Sequence, residues 1–178
     1  LGHGKSLEFL SKNKIPSHTK IIDLSQDFRL NGSYKDDSIS RDFVYGLPEM
    51  SREKIKTAFN IANPGCFATA FELALLPLAS VKLLNDEVHI NGITGSTGAG
   101  QALSDTTHFS WRNNNISVYK AFSHQHLKEV RLTLEKAAST VVPDLNFVPV
   151  RGNFTRGIFL TAYTNCSLPE NDVKQLYK

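Results

Sequence analysis

Cys66 is the residue whose type and position most directly suggest chemistry. It follows Asn63, Pro64 and Gly65 and opens a run rich in Leu and Ala that predicts a helix over 66–84. A cysteine in the first turn of a helix faces unpaired backbone N–H groups and the positive end of the helix dipole, which favour a thiolate over a thiol. We therefore predict a nucleophile, with a small buried hydrophobic side chain as the alternative.

A histidine segment about sixty residues further on supplies candidate bases. It contains His124 and His126, and Glu129 follows three residues after the second histidine. If a helix begins near His126, Glu129 lies one turn later and can orient the imidazole. Nucleophilic catalysis by cysteine requires such a thiol, base and orienting group. A pair of satisfied or surface histidines is the alternative, and zinc binding lacks further ligands at suitable spacing, so we predict no metal.

A glycine-rich turn and two arginines are candidate ligands for anions. The turn matches neither G-x-G-x-x-G nor the P-loop pattern, so a phosphate cradle and a simple strand-to-helix connection both stay open. Arg29 and Arg112 are candidate anion-binding side chains, because guanidinium binds phosphate or carboxylate through two hydrogen bonds. An ordinary surface arginine is the alternative at either position. The predicted cofactor-binding residues of the turn are Gly95, Ser96, Thr97, Gly98, Ala99 and Gly100.

The composition describes a soluble globular protein. The 178 residues are 40% hydrophobic and 21% charged, and the formal net charge of +3 comes without a basic cluster, which argues against a nucleic-acid partner. No apolar run approaches the roughly 18–20 residues that a membrane span needs. The two cysteines stand a hundred residues apart and form no disulfide framework, so we expect a reducing, cytoplasmic setting.

The elements that must position these residues follow an α/β rhythm. A helical pattern precedes a short buried strand, and groups that bind ligands in such sheets lie just past the carboxyl ends of strands, where Arg29 stands. The polar stretch 31–42 is predicted to be a loop, and a domain boundary is predicted near Asn63. The predicted helices cover 5–14, 51–58, 66–84 and 126–141, and the predicted strands cover 20–24, 59–62, 87–94, 146–150 and 157–165.

These motifs resemble N-acetyl-γ-glutamyl-phosphate reductase and, more distantly, aspartate-semialdehyde dehydrogenases. They occur in the order of that family and span nearly the whole chain. The segment departs from the family's His-Arg-His-x-Pro-Glu-Ile pattern most clearly at two positions, where Gln125 replaces its arginine and Lys128 its proline. The segments that carry the resemblance are 23–29, 63–70, 95–100, 124–130 and the Arg-Gly-Ile sequence at 156–158.

The resemblance implies a two-part architecture. The carboxyl-terminal part of a Rossmann-like NADP-binding domain is expected over 1–62, followed over 63–178 by an α+β catalytic and dimerisation domain of the semialdehyde-dehydrogenase type, with a mixed or antiparallel sheet. It also implies a homodimer or homotetramer. The family's Gly-x-x-Gly-x-x-Gly turn does not occur in this sequence, so we expect a piece of a longer protein that by itself binds NADPH poorly.

The resemblance further implies a reaction. An enzyme of this family, in arginine biosynthesis, uses NADPH to reduce an N-acyl-γ-glutamyl phosphate to the semialdehyde. Cys66 would form a thioacyl enzyme, and His126 would be the acid/base, oriented by Glu129 with His124 close by. The alternatives are a Cys–His acyltransferase or hydrolase, or a non-catalytic dimerisation fragment. The implied substrate-binding residues are Arg29, Arg112 and Asn63.

Overall fold

The computed structural model describes residues 2–35, 40–100 and 102–178 of the chain. They form two compact units, Leu1–Thr69 and Ala70–Lys178. The division between the units falls inside a continuous helix, a few residues after the predicted domain boundary. The assignment of 1–62 and 63–178 to two functional domains stays a prediction.

The first unit contains a four-stranded sheet and two helices. Its elements are α1 (Lys5–Lys12), β1 (Ile21–Asp23), β2 (Ser33–Lys35), β3 (Ser40–Tyr45), α2 (Pro48–Thr57) and β4 (Asn60–Ala62). The strand order is β1-β4-β3-β2, in which β4 pairs in parallel with β1 and β3, while β2 is antiparallel to β3. The parallel centre requires crossovers, which the helical and irregular segments between the strands provide.

An aromatic cluster holds the segment after β1 against this sheet. The ring of Phe28 stacks on Phe43 at 4.1 Å between centroids and meets Tyr34 edge-on at 6.4 Å. All three side chains are buried, together with Leu10 and Ala62. Aromatic side chains contribute large buried areas, so this cluster fixes the position of the residue that follows Phe28, which is the candidate Arg29.

The prediction of a loop over 31–42 is wrong for the described part of that stretch. β2 and the start of β3 lie in it, and both strands alternate buried and exposed residues. Strands with one solvent-exposed face carry polar residues at every second position, which gave this stretch its loop-like composition. Residues 36–39 of the predicted loop lie outside the described residues.

The second unit contains a mixed sheet with helices packed on one of its faces. The helix α3 (Cys66–Ser80) leads into it, and its other elements are β5 (Val88–Thr94), α4 (Phe109–Arg112), β6 (Ser117–Val118), α5 (His126–Ala138), β7 (Leu145–Arg151), β8 (Ile158–Tyr163) and α6 (Glu170–Leu176). The strand order is β6-β7-β5-β8. The central strands β5 and β7 are parallel and both outer strands are antiparallel to their neighbours, so the predicted mixed α+β architecture is confirmed.

The inner face of this sheet forms the core of the second unit. Val88, Ile90 and Phe147 are buried on the two central strands. Phe71 of α3 meets Phe147 edge-on at 4.6 Å between ring centroids. Because β5 and β7 run in parallel and in register, their carboxyl ends come together, and Thr94 pairs with the final residue of β7 there. This edge is where ligand-binding groups are expected in such a sheet.

Candidate active site

The predicted nucleophile lies in the first unit, at the first position of α3. Cys66 begins the helix and its side chain is exposed. The carbonyl oxygen of Gly65 accepts hydrogen bonds from the backbone N–H of Thr69, at 2.8 Å, and from its hydroxyl group, at 3.0 Å. The first backbone turn therefore closes on the residue before the cysteine, and the thiol stands at the amino terminus of the helix, where the helix dipole is positive.

Arg29 and Asn63 lie with Cys66 in the first unit, and they hold the segment that precedes it. The buried guanidinium of Arg29 donates from Nε to the carbonyl oxygen of Asn63 at 2.8 Å and from Nη2 to that of Leu24 at 3.0 Å. The Asn63 backbone N–H donates to the carbonyl oxygen of Asp23 at 2.8 Å. The end of β1 and the segment before Cys66 are thereby joined by one buried side chain and one backbone bond.

Two acidic residues, Asp23 at the end of β1 and Asp27 after it, bind groups of the protein itself. The buried Asp23 carboxylate accepts from the Ser6 hydroxyl group and from the backbone N–H of Ser25. Asp27 accepts the backbone N–H groups of Gly4, at 2.7 Å, and Leu7, at 3.0 Å. Partial burial opposes ionisation of Asp27, but these hydrogen bonds to the carboxylate outweigh burial and lower its pKa. Asp27 therefore caps the amino terminus of α1.

The predicted bases and the orienting carboxylate lie together in the second unit, at the start of α5. His126 is the first residue of the helix, Glu129 is one turn further on, and His124 precedes the helix; all three are buried. The rings of His124 and His126 are 4.7 Å apart between centroids, at 70°. The Nδ1 atom of His124 accepts the backbone N–H of His126 at 3.3 Å.

The His124 imidazole is held in its neutral form. Burial is the main cause and lowers its pKa to about 4, with further contributions from His126, Lys120 and Arg151. All of these effects disfavour a second positive charge at the ring. A ring that stays neutral at ordinary pH can accept a hydrogen bond at Nδ1, as it does here.

The glycine-rich turn is held by its own backbone. Residues 96–99 form a short 3-10 helix, and the N–H groups of Gly95, Ser96 and Thr97 donate to carbonyl oxygens of the segment 154–157 at 2.8–3.2 Å. The N–H groups of Gly98 and Gly100 donate within the turn. These donors are the ones that a phosphate cradle would have to offer, so the geometry favours a structural connection over the predicted binding of cofactor phosphates.

Arg112 uses its whole guanidinium inside the protein. Nε donates to the carbonyl oxygen of Thr106, Nη1 donates to those of Asn115 and Arg151, and Nη2 donates to Thr106 and to the Ser117 hydroxyl group. The five N–H donors of an arginine are all accounted for by these bonds. The role of Arg112 in binding a substrate anion stays a prediction, and its geometry favours joining α4 to the sheet.

Arg151 and Tyr119 are functional candidates that the sequence reasoning missed. The Arg151 guanidinium lies over the Tyr119 ring at 4.6 Å, and Tyr119 in turn meets the His124 ring edge-on at 5.8 Å between centroids. Arg151 is 9% exposed, donates to the carbonyl oxygen of Ser96 at 3.4 Å, and forms no ion pair with a carboxylate of the described residues. Its place as the last residue of a parallel strand was the signal that could have found it.

Other features of the described residues include none of the predicted site residues. Cys166 is exposed and forms no disulfide. Within the described ranges no cluster of three or more His, Cys, Asp or Glu side chains could hold a metal ion, and no helix there is long and apolar enough to cross a membrane. An open cavity of about 630 Å³ contains none of the predicted site residues and is lined by Leu103, Ser104, Asp105, Thr107, His108, Ser110 and Trp111.

The fold and these residues define a class of protein. Over residues 66–178 the chain matches the family model described as "Semialdehyde dehydrogenase, dimerisation domain", and the chain belongs to this family. Two solved aspartate semialdehyde dehydrogenases share the fold. The enzyme of Francisella tularensis gives a TM-score of 0.66 at 15% identity, covering 99% of this chain and 60% of that one. That of Candida albicans, described as a structure with NADP, gives 0.59 at 14%, covering 99% and 53%.

Curated relatives give a more particular resemblance, and it confirms the one drawn from the motifs. Three proteins named N-acetyl-gamma-glutamyl-phosphate reductase are similar to this chain. The protein of Christiangramia forsetii is 54% identical over 177 residues, covering 99% of this chain and 53% of its own length. That of Flavobacterium johnsoniae is 60% identical over 167 residues, covering 93% and 50%, and that of Bacteroides fragilis 46% over 176 residues, covering 99% and 53%. The chain thus spans about half the length of these relatives.

Proposed function

We propose that this chain carries the catalytic and dimerisation part of an NADPH-dependent reductase that converts an N-acyl-γ-glutamyl phosphate to the N-acyl-glutamate 5-semialdehyde. The observation that carries the proposal is the exposed thiol of Cys66 at the first position of α3, behind a segment that Arg29 holds. The names of the relatives supply the substrate class. Such a reaction serves arginine biosynthesis, and we expect it in the cytoplasm.

Cys66 forms the covalent intermediate in this proposal. Its sulfur attacks the acyl carbon of the mixed anhydride, the carbon–oxygen bond to phosphate breaks, and inorganic phosphate leaves with the electron pair of that bond. The backbone N–H groups at the start of α3 are suited to stabilise the oxyanion of the tetrahedral intermediate. The product of this half-reaction is a thioester on Cys66.

His126 is the acid/base of the proposed reaction. A tetrahedral oxyanion must gain a proton and later lose it when the aldehyde forms and the thiolate departs, and imidazole is the side chain best matched to both transfers near neutral pH. The position of His126 in the first turn of a helix, with Glu129 one turn later, supports this role. Replacement of His126 by alanine should therefore slow the reduction step more than the acylation step.

Arg151 is the side chain that we propose for a substrate anion. A buried guanidinium stacked on an aromatic ring retains its charge and offers paired N–H donors to a carboxylate or a phosphate. Arg112 uses its own donors within the protein, and Arg29 uses two of its nitrogens for carbonyl oxygens. The substrate-binding roles of Arg29, Arg112 and Asn63 stay predictions.

The hydride of the proposed reaction comes from NADPH, and the name of one structural neighbour includes NADP. The role of the glycine-rich turn at 95–100 in binding the phosphates of this cofactor stays a prediction, and the hydrogen bonds of its N–H groups to backbone carbonyl oxygens do not favour it. A β-carbon on Gly95 would meet the Thr155 carbonyl oxygen at 2.6 Å, so this glycine is required by the packing of the chain on itself. We assign no cofactor contact to the turn in the mechanism.

Self-association is the second part of the proposal. The matched family model is that of a dimerisation domain, so we propose that residues 66–178 form a homodimer, either alone or within a tetramer. Sedimentation equilibrium of the chain measures this directly. A species of one chain's mass at micromolar concentration would contradict it.

The catalytic proposal is tested in the protein as its gene encodes it. With N-acetyl-glutamate 5-semialdehyde, phosphate and NADP+, the reverse reaction should produce NADPH only when phosphate is present. Cys66→Ser should abolish the reaction, whereas Cys166→Ser, the matched control, should leave it unchanged because that thiol has no helix terminus beside it. Hydrolysis of the acyl phosphate without NADPH would instead favour a Cys–His hydrolase or acyltransferase.

A further inference from the structure

The His124 side chain forms a hydrogen bond that usually belongs to Asn, Asp or Ser. Its Nδ1 atom accepts the backbone N–H of His126 at 3.3 Å, and its carbonyl oxygen accepts that of Leu127 at 3.0 Å. An acceptor two residues before an N–H is the geometry of an Asx-turn, in which a short polar side chain satisfies the first donors of a helix. An imidazole can do this only with its proton on Nε2, because a protonated Nδ1 is a donor.

Aromatic contacts fix the orientation of the His124 ring. Its centroid lies 4.7 Å from that of His126, 5.5 Å from that of Phe147 and 5.8 Å from that of Tyr119, each at a steep interplanar angle. The residue is only 5% exposed. A ring so enclosed has little freedom to reorient, and it forms one wall of the space that the His126 ring occupies.

The backbone that leads to His124 is also constrained. Lys120 and Phe122 both have positive φ angles, 44° and 58°, which side chains with a β-carbon rarely adopt. The N–H of Phe122 donates to the carbonyl oxygen of Phe147 at 2.8 Å, and that of Tyr119 to the carbonyl oxygen of Pro149 at 3.1 Å, so this loop is tied to β7. Strained backbone of this kind persists where the surroundings over-determine one position, as they often do at functional sites.

The charges around His124 favour its neutral form. Burial is the main cause that lowers the pKa of His124, and the charges of His126, Lys120 and Arg151 act in the same direction. Lys120 donates to the side-chain oxygen of Gln125 at 3.3 Å and is exposed. A ring held neutral by this environment is a stable hydrogen-bond acceptor and a poor partner for proton exchange in the neutral range.

We propose that His124 is a positioning residue, whose neutral imidazole closes the first turn of α5 and orients the ring of His126, and that it takes no part in proton transfer. This inference rests on the proposed function for the role of His126 itself. The proposal gives different roles to the two histidines that the sequence analysis predicted as catalytic bases: His126 transfers protons and His124 positions it.

Two substitutions at one position distinguish the alternatives. In His124→Asn the amide oxygen takes the place of Nδ1 and accepts the same N–H without titrating, whereas His124→Ala offers no acceptor. If His124 only positions His126, His124→Asn should have a kcat within about threefold of the wild-type value and an unchanged pH–rate profile, because asparagine is among the best helix-capping residues. His124→Ala should lose about tenfold or more in kcat, since small displacements of a catalytic group are costly.

Equal loss of kcat in both variants, or an ionisation that disappears from the pH–rate profile of His124→Asn, would overturn the proposal. The matched control is His108, whose Nδ1 accepts the backbone N–H of Ser110 at 3.3 Å at the exposed start of α4. Neither His108→Asn nor His108→Ala should change kcat or the profile. An effect there as large as that of His124→Ala would show that loss of such a bond acts through general stability, which also contradicts a local role.

Hydrogen exchange tests the same proposal without reference to activity. Loss of the Nδ1 acceptor should raise the exchange rate of the His126 N–H group about fivefold in His124→Ala, and His124→Asn should restore the protection. Unchanged exchange in both variants would contradict the capping role even in a fully active enzyme. Conversely, a chain without reductase activity that shows the predicted exchange pattern would leave the positioning role in place and overturn only the proposed function.

Discussion

The buried neutral His124 should make the stability of the protein depend on pH, and His124→Asn should remove that dependence. In the folded protein the pKa of His124 is lowered from 6.5 to about 4. Between these pH values the unfolded chain binds a proton that the folded chain does not bind. The stabilising effect of a neutral ring is therefore complete above the unfolded pKa, and it is lost as pH falls from 6.5 towards 4.

The size of the effect follows from the two pKa values. Linkage over this shift gives a loss of about 1.8 kcal/mol in the free energy of unfolding between pH 7 and pH 5 as an upper value. Partial access of solvent weakens the burial effect, so we expect wild type to lose about 1 kcal/mol more than His124→Asn over this interval. Lys120 and Arg151 remain in both proteins, and the difference between the curves isolates the His124 ring.

Urea unfolding followed at several pH values between 7 and 5 measures the difference. His108→Asn is the control for loss of a histidine as such, because His108 has the same acceptor geometry but an exposed ring. Wild-type and His124→Asn curves that run parallel over this range would show that the His124 ring is not held neutral. The reasoning from burial and neighbouring charges would then be refuted.

Three further predictions concern stability. Asp27→Asn should lower the free energy of unfolding by about 1 kcal/mol at pH 7. This difference from wild type should vanish as pH falls below 3.8 through the lowered pKa of Asp27. A difference that persists at pH 2 would contradict the capping role. Gly95→Ala places a β-carbon 2.6 Å from the carbonyl oxygen of Thr155 and should lower the free energy of unfolding by about 2 kcal/mol or more. Gly2→Ala, whose β-carbon would meet no atom within 4 Å, should change it by no more than about 0.5 kcal/mol. Equal urea midpoints for the two variants would contradict this. Phe71→Leu should cost about 1–2 kcal/mol through lost edge-on packing in the core, and an unchanged urea midpoint would refute it.

Strands with one buried and one exposed face were predictable from the sequence. Short strands at the edges of the sheets were less predictable. The runs at 87–94 and 146–150 alternate because one face of the second sheet packs on helices, and β5 and β7 appear there almost as predicted. β2 and β6 are short edge strands of three and two residues, respectively. Local composition carries little information about such strands, because a short segment becomes a strand only through its pairing with a neighbouring strand.

The ends of two helices were predicted too late for an identifiable reason. α3 ends at Ser80 and α5 at Ala138, although helices over 66–84 and 126–141 were expected. Each is followed closely by a residue with positive φ, Lys82 at 59° and Ser139 at 56°. A left-handed cap is normally signalled by glycine, and neither position carries one. The tertiary structure imposes this conformation, and the sequence gives no local sign of it.

Some residues of the candidate site could be predicted from local sequence, and others depend on contacts between distant segments. The place of Cys66 at a helix start and the pair of histidines at the start of α5, two residues apart in the sequence, are local features, and the structure contains both. Arg151 and Tyr119 meet through the pairing of β6 with β7, which joins segments more than thirty residues apart in the sequence. The structural use of Arg112 depends on carbonyl oxygens from several segments, including that of Arg151, and single-sequence reasoning cannot identify such acceptors.

The covalent intermediate on Cys66 offers the most direct test of the proposed function. The protein as its gene encodes it would be mixed with an N-acyl-γ-glutamyl phosphate without NADPH, quenched within one turnover, digested and analysed by mass spectrometry. The account predicts an acyl adduct on the peptide that contains Cys66, absent from Cys66→Ser and absent from the peptide of Cys166. An unmodified Cys66 despite release of phosphate, or an adduct on another residue, would contradict it.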